Sequence, residues 1–166
     1  MPLPAIEQQL FRRVCGKFAT GITVLTLCDR NGAPHGMTVN SFTSVSLDPP
    51  IILVCIDLKA SILSRFEPSA RFAINVLHEG QQELSTCFAR NVRDRFEGLE
   101  WRPGETGAPI LPGVLATLEC SVTQMVEAGD HVIVLGKVLH ASWGEGEPLI
   151  YFNSSYRALR SETTAS

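Results

Sequence analysis

Residues 114–143 read as one long hairpin, and that feature limits the folds open to the chain more than any other. Between 114 and 126, Ala116, Leu118, Cys120 and Val122 fall on one side, with Thr117, Glu119, Ser121 and Thr123 on the other. This is the period-two signature of a strand. Glu127-Ala128-Gly129-Asp130 supplies a turn, and residues 131–143 return as a second long strand. Strands joined so tightly pair antiparallel. A doubly wound parallel sheet needs regular alternation of strand and helix, which the second half of the chain lacks.

The first half adds shorter elements. Residues 5–18 place Ile6, Leu10, Phe11, Val14, Cys15 and Phe18 at helical spacing, with Arg12, Arg13 and Lys17 opposite. Residues 22–28 are β-rich and run into Asp29-Arg30-Asn31-Gly32, where Asn-Gly is a strong hairpin signal. IILVCI at 51–56 reads as a fully buried strand, 58–66 as a short helix, and 71–77 as another strand. Residues 80–90 form a helical pattern with Leu84, Cys87 and Phe88 on one face. From 91 to 112 the chain is Gly- and Pro-rich and holds Phe96, Leu99 and Trp101. A loop of that length is usually functional or lies over an interface. With a last short strand at 148–152, about seven strands predict a mainly β fold, a predominantly antiparallel barrel with a few short helices. The 166 residues make one domain without repeats.

Hydrophobic residues make up 45% of the chain and charged ones 19%, with mean hydropathy +0.12. That leaves apolar surface for a subunit interface. A net charge of -3 shows no basic footprint for nucleic acid or anionic membranes. No apolar run reaches the roughly 20 residues of a membrane helix. The N-terminal MPLPAIEQQLFRR puts its basic residues after the apolar ones, unlike a signal peptide. Five widely spaced cysteines, with no C-x-x-C, argue for a reducing, cytoplasmic compartment and against disulfides or a metal site.

The stretch at 36–50, GMTVNSFTSVSLDPP, interleaves apolar residues with small hydroxyl and amide groups and carries no charge before Asp48. Short polar side chains let a ligand approach the backbone, so that main-chain groups can bond its edge. A Ser/Thr-rich edge strand would look the same. Elsewhere there is no G-x-S-x-G, no Walker loop, no G-x-G-x-x-G and no H-E-x-x-H, and the four histidines are scattered. Hydrolase and metalloenzyme chemistry therefore lack residues.

Several motifs recur in a telling order: F-x-x-G-I-T-V-L-T at 18–26, GMTVNSFTSVSLDPP at 36–50, ILVCID at 52–57 and RFAINVL at 71–77. FAR…DRF at 88–96, GDH at 129–131 and PLIYFNSSY at 148–156 follow. In this order and spacing the chain resembles the short-chain flavin reductases of two-component flavin-dependent monooxygenases, which have the FMN-binding split-barrel fold. The resemblance implies an antiparallel split β-barrel. It implies an NAD(P)H:flavin oxidoreductase that reduces FMN or FAD by direct hydride transfer from NADH or NADPH. It also implies a homodimer that passes reduced flavin to a separate oxygenase component.

By position, the resemblance sets Met37, Thr38, Val39, Asn40 and Ser41 against the isoalloxazine. Ser44, Ser46 and the segment holding Asp57, Lys59 and Ser61 lie toward the ribityl and phosphate end. Arg90, Arg93 and Arg95 are alternative phosphate or pyrophosphate contacts, Tyr156 joins the flavin contacts, and His131 takes the nicotinamide side as the catalytic residue. Several have a plainer alternative: Asn40 a turn, Ser61 a helix cap, His131 and the arginines a solvated face, Tyr156 a dimer surface. A flavoprotein that holds FMN without turnover, or an oxidase of the pyridoxamine-phosphate type, would share the barrel.

Overall fold

The computed structural model describes residues 5–67, 69–90 and 94–159. Helix α1 (Gln8–Cys15) precedes β1 (Thr20–Gly21), β2 (Thr23–Cys28), β3 (Pro34–Val39), β4 (Thr43–Leu47), β5 (Pro50–Asp57) and β6 (Arg71–Val76). Helix α2 (Gln82–Ala89) follows, then the short β7 (Arg102–Pro103) and β8 (Pro109–Ile110). The long β9 (Ala116–Ala128) and β10 (His131–Trp143) come next, before β11 (Ile150–Phe152) and β12 (Ser155–Arg157).

Seven strands form one antiparallel sheet in the order β3-β2-β6-β9-β10-β5-β4. Its two edge strands, β3 and β4, are joined by residues 40–42 alone. Six strand spacings would separate the edges of a flat sheet by about 29 Å. Four extended residues reach about 14 Å. The sheet must therefore roll until its edges meet. Ser41 completes the closure: its hydroxyl donates to the Cys55 carbonyl at 2.9 Å and accepts the Cys55 N–H at 3.0 Å. This is the expected mainly β antiparallel barrel.

Two cores lie on either side of the barrel wall. Leu25, Leu27, Val54, Ile56, Phe72, Ile74 and Val134 fill the interior. Val24, Leu77, Phe88, Phe96, Leu111 and Leu149 pack α2 and the loops against the outside. β2 is buried on both faces because alternate residues serve the two cores. Asn75, fully buried, ties the layers: its amide donates to the Val24 carbonyl and the Thr26 hydroxyl, and its carbonyl accepts the Leu111 N–H.

Four expectations change. Residues 58–66 are not a helix; successive i-to-i+3 bonds make turns, with one 3-10 turn at Leu63–Arg65, because Ile62 and Phe66 drop into the barrel core. β5 is not buried throughout: Ile52, Val54 and Ile56 point inward, whereas Ile51, Leu53 and Cys55 are half-buried on the outer face. Two aromatics of the Gly- and Pro-rich loop join the core and do not stand apart from it. Phe96 packs edge-to-face on Phe88 and on Trp101, so both aromatics belong to the outer core. The polar side of β9 is also buried at its start, where Thr117 bonds Ser142 and Glu119 anchors a loop. Arg93 lies outside the described residues.

Candidate functional site

Three segments converge on a half-open cavity of about 340 Å³. β3 contributes Met37. The end of β5 and the turns after it contribute Asp57, Lys59, Ala60, Ser61 and Ile62, and Arg95 closes the far side. A recess of about 50 Å³ adjoins it, sharing Ser61, Ile62 and Arg95 and adding His35, Gly36 and Phe96.

Local bonding explains each placement. The Asp57 carboxylate accepts the Lys59 N–H at 2.7 Å and its carbonyl accepts the Ala60 N–H at 2.9 Å. This turn brings Lys59 and Ser61 round to the cavity. Arg95 is held by its own donors: Nη1 bonds the Gly36 carbonyl and Nε bonds the Arg90 carbonyl at 2.9 Å. Partial burial pulls the Arg95 pKa down from its ordinary value. Gly36 has to be glycine here, since a Cβ would stand 2.6 Å from the Phe88 ring.

His131 stands at the rim. It is the cross-strand partner of Asp57 in the β10–β5 ladder, and the Asp130 carbonyl accepts the Leu58 N–H at 3.0 Å. Its Nδ1 lies 2.7 Å from Asp130 Oδ1. That hydrogen bond, then the charge of the imidazole, hold the Asp130 carboxyl below its usual range. The pair orients the ring with Nε2 left unengaged by any described group.

Of the residues singled out in the sequence, Met37, Asp57, Lys59, Ser61 and Arg95 line this cavity, with His131 beside it. The rest go elsewhere. Thr38 faces α2, where its hydroxyl donates to the Ser85 carbonyl at 2.6 Å. Tyr156 stacks edge-on against Tyr151 and bonds the Ser85 hydroxyl at 2.9 Å, on that same outer side. Val39 is in the barrel core, and the Ser41 hydroxyl is committed to closure. Asn40 is exposed at the joint between β3 and β4. Ser44 and Ser46 flank a bulge on the edge strand β4. Arg90 is exposed and meets Arg95 through its carbonyl. His35 was missed, although it lies two residues before Met37 and so shares its face of the strand.

Residues 15–160 match the flavin reductase like domain. The chain belongs to that family. Among curated members it is 48% identical over 138 residues to a probable flavin reductase of Rhizobium meliloti, covering 83% of this chain and 44% of that protein. It is 43% identical to FMN reductase (NADH) SmoA of Agrobacterium fabrum, covering 88% and 83%. The chain spans less than two thirds of the length of several curated relatives it matches. Among solved structures, the Streptomyces globisporus NADH:FAD oxidoreductase SgcE6, in complex with NAD and FAD fragments, superposes with a TM-score of 0.87 at 37% identity, each chain covered in full.

The cavity fits the flavin of this family in kind. Its volume is in the range of small-molecule sites, about 300–1,000 Å³. It offers an apolar wall in Met37, Ala60 and Ile62, a hydroxyl in Ser61, and two cations in Lys59 and Arg95. An aromatic ring with a phosphate tail needs that combination. Among the described residues no cluster of His, Cys, Asp or Glu could hold a metal, and no helix is long and apolar enough to cross a membrane.

Proposed function

We propose that this chain is an NAD(P)H-dependent flavin reductase that reduces FMN or FAD and supplies the product to a separate oxygenase. The observation that carries it is the convergence of Met37, Ser61, Lys59 and Arg95 on one cavity, with His131 on its rim, in a member of the flavin reductase like family. A bound flavin supplies the two-electron chemistry; the chain needs no nucleophile. Lys59 and Arg95 neutralise the phosphate, and Ser61 donates to it. Met37 packs against the ring, while backbone groups of residues 37–41 and the Asn40 amide reach its polar edge. His131 holds the nicotinamide through Nε2, with Asp130 fixing the imidazole by its bond to Nδ1. Such positioning of two planar partners lowers the barrier by pre-paid entropy.

The working unit is a homodimer. Leu47 is 95% exposed, Trp143 79% and Phe18 77%, and α1 buries none of its residues. So much apolar surface on one chain supports a self-interface. The open side of the cavity, Ser44 and Ser46 on the exposed edge, and Tyr156 fit a site completed by the second copy. Five free cysteines support a reducing, cytoplasmic setting.

Steady-state oxidation of NADH and NADPH with FMN and FAD, four combinations in all, tests the activity. Turnover with at least one pair is expected. Tight flavin binding without turnover would instead make the chain a flavin carrier.

A further inference from the structure

A second cleft, of about 770 Å³, lies one turn away from the flavin cavity proposed above. Its walls come from the β2–β3 hairpin (Asp29, Asn31), from Ser64 and Arg65, from Arg71 at the start of β6, and from Thr106. The separation is short and well defined. Ser61 lines the flavin cavity and Ser64 the cleft, and the Ser64 hydroxyl donates to the Ser61 carbonyl at 3.0 Å. His35, in the recess that adjoins the cavity, has Nε2 3.0 Å from Asp29 Oδ2. Arg65 Nη1 stands 3.6 Å from that same oxygen.

The charges here suit an anion crossing the ridge: Glu67, a carboxylate of the cleft wall, is already paired with Arg30 Nε at 2.5 Å, and Asp29 is engaged as well. Asp29 accepts the N–H groups of Asn31 and Ala33, and it contacts His35 and Arg65. The His35 bond first, then the Ala33 and Asn31 N–H groups, hold its carboxyl below the usual range. Its charge is thus already answered locally. Arg65 still faces the cleft with its side chain 43% exposed, and Arg71 has no ion-pair partner among the described residues. A guanidinium can pair with a phosphate and can stack on a purine face.

We propose that this cleft receives the adenylate half of FAD, and that the chain therefore binds FAD in preference to FMN. The assignment rests on the flavin cavity of the previous subsection. FMN ends at one phosphate, which Lys59, Ser61 and Arg95 would take. FAD continues through a second phosphate to a ribose and an adenine. The ridge of His35 and Arg65 lies between the two pockets, where a second phosphate would have to pass, and the polar cleft beyond it offers the nucleoside Asn31 and the Thr106 hydroxyl oxygen as an acceptor, its proton being given to Glu119. NAD carries the same adenylate group. Continuity with the phosphate end of the flavin cavity assigns the cleft to FAD instead.

Equilibrium dissociation constants for FMN and FAD, measured by dialysis without reductant, test the assignment in the wild-type chain and in Arg65→Gln, Arg71→Ala and Lys59→Ala. The wild type should bind FAD about tenfold or more tightly than FMN. Arg65→Gln and Arg71→Ala should each cost FAD about tenfold and leave FMN unchanged, because a lost charge-assisted contact is worth about that factor. Lys59→Ala should weaken both flavins alike. Equal affinity for FMN and FAD in the wild type would overturn the proposal. So would a loss shared by both flavins in the two arginine variants, or a raised KM for NADH with FAD affinity intact. Indifference of both flavins to Lys59→Ala would instead discard the flavin cavity itself, and the adenylate cleft with it. Arg71 has no ion pair to lose, so its variant remains decisive if Arg65→Gln proves unstable.

Discussion

Ser41 and Cys55 exchange two hydrogen bonds that extend the β4–β5 pairing past Thr43: the Ser41 hydroxyl donates to the Cys55 carbonyl at 2.9 Å and accepts the Cys55 N–H at 3.0 Å. One side chain thus stands in for a rung of the ladder where β3 gives way to β4. Ser41→Ala removes both bonds and leaves a partly buried N–H and C=O unpaired. The loss should cost about 1–3 kcal/mol. For a domain of this size that is a fall in Tm of roughly 2–12 °C, which calorimetry would read. An unchanged Tm would mean that the edges are held by packing alone.

Glu119 is 2% exposed, and its carboxylate accepts the Thr106 hydroxyl and the N–H groups of Thr106 and Glu105. Burial by itself would raise its pKa, but these bonds outweigh it and hold the folded value below the ordinary 4.5. A depressed folded pKa contributes stability that is present above the unfolded value and disappears as pH falls through the folded one. Acid should therefore destabilise the chain below about pH 4.5, and Glu119→Gln should flatten that limb. At neutral pH the same variant should cost about 1.5–3 kcal/mol, since its NH2 faces donors. Urea melts at several pH values check both. An acid limb unaltered by the substitution would assign it to other carboxylates.

For the GDH turn, His131→Ala should lower kcat/KM for the nicotinamide substrate by about one to three powers of ten. Flavin affinity and Tm should stay nearly as they were, because His131 is half-exposed and packs on no core residue. Stopped-flow reduction at saturating flavin provides the measurement. A histidine that is only part of a solvated turn would leave both the rate and KM untouched.

The exposed apolar residues on β4 and β10 make the oligomer testable. Leu47→Asp combined with Trp143→Asp should convert a dimer to a monomer in light scattering at micromolar concentration. An obligate interface buries about 2,000 Å² or more, and two charges within it are costly. The variant's cavity should lose flavin affinity if the second copy completes it. A wild-type monomer would refute the dimer outright.

Periodicity by itself made much of the barrel legible. The alternation before Gly129, the turn residues Asn31-Gly32 and Gly129-Asp130, and the apolar runs of β2, β5 and β6 all describe backbone geometry within a few residues. Such local chemistry does not depend on distant partners. Faces and meetings were another matter. Phe96 and Trp101 stand in a Gly- and Pro-rich loop of the sequence, and the core that receives them is built from Phe88, Leu111 and Leu149 on other elements. Thr38, one residue from Met37, points to α2 while Met37 lines the cavity, since adjacent strand residues face opposite sides of the wall. The chain order by itself determined an antiparallel β domain with a run of small polar residues at 36–50 and a GDH turn. Only the rolled sheet decided that Met37, Asp57, Ser61 and Arg95, spread over nearly sixty residues, would share one cavity. Closure is a property of all seven strands at once, and no local window of sequence contains it.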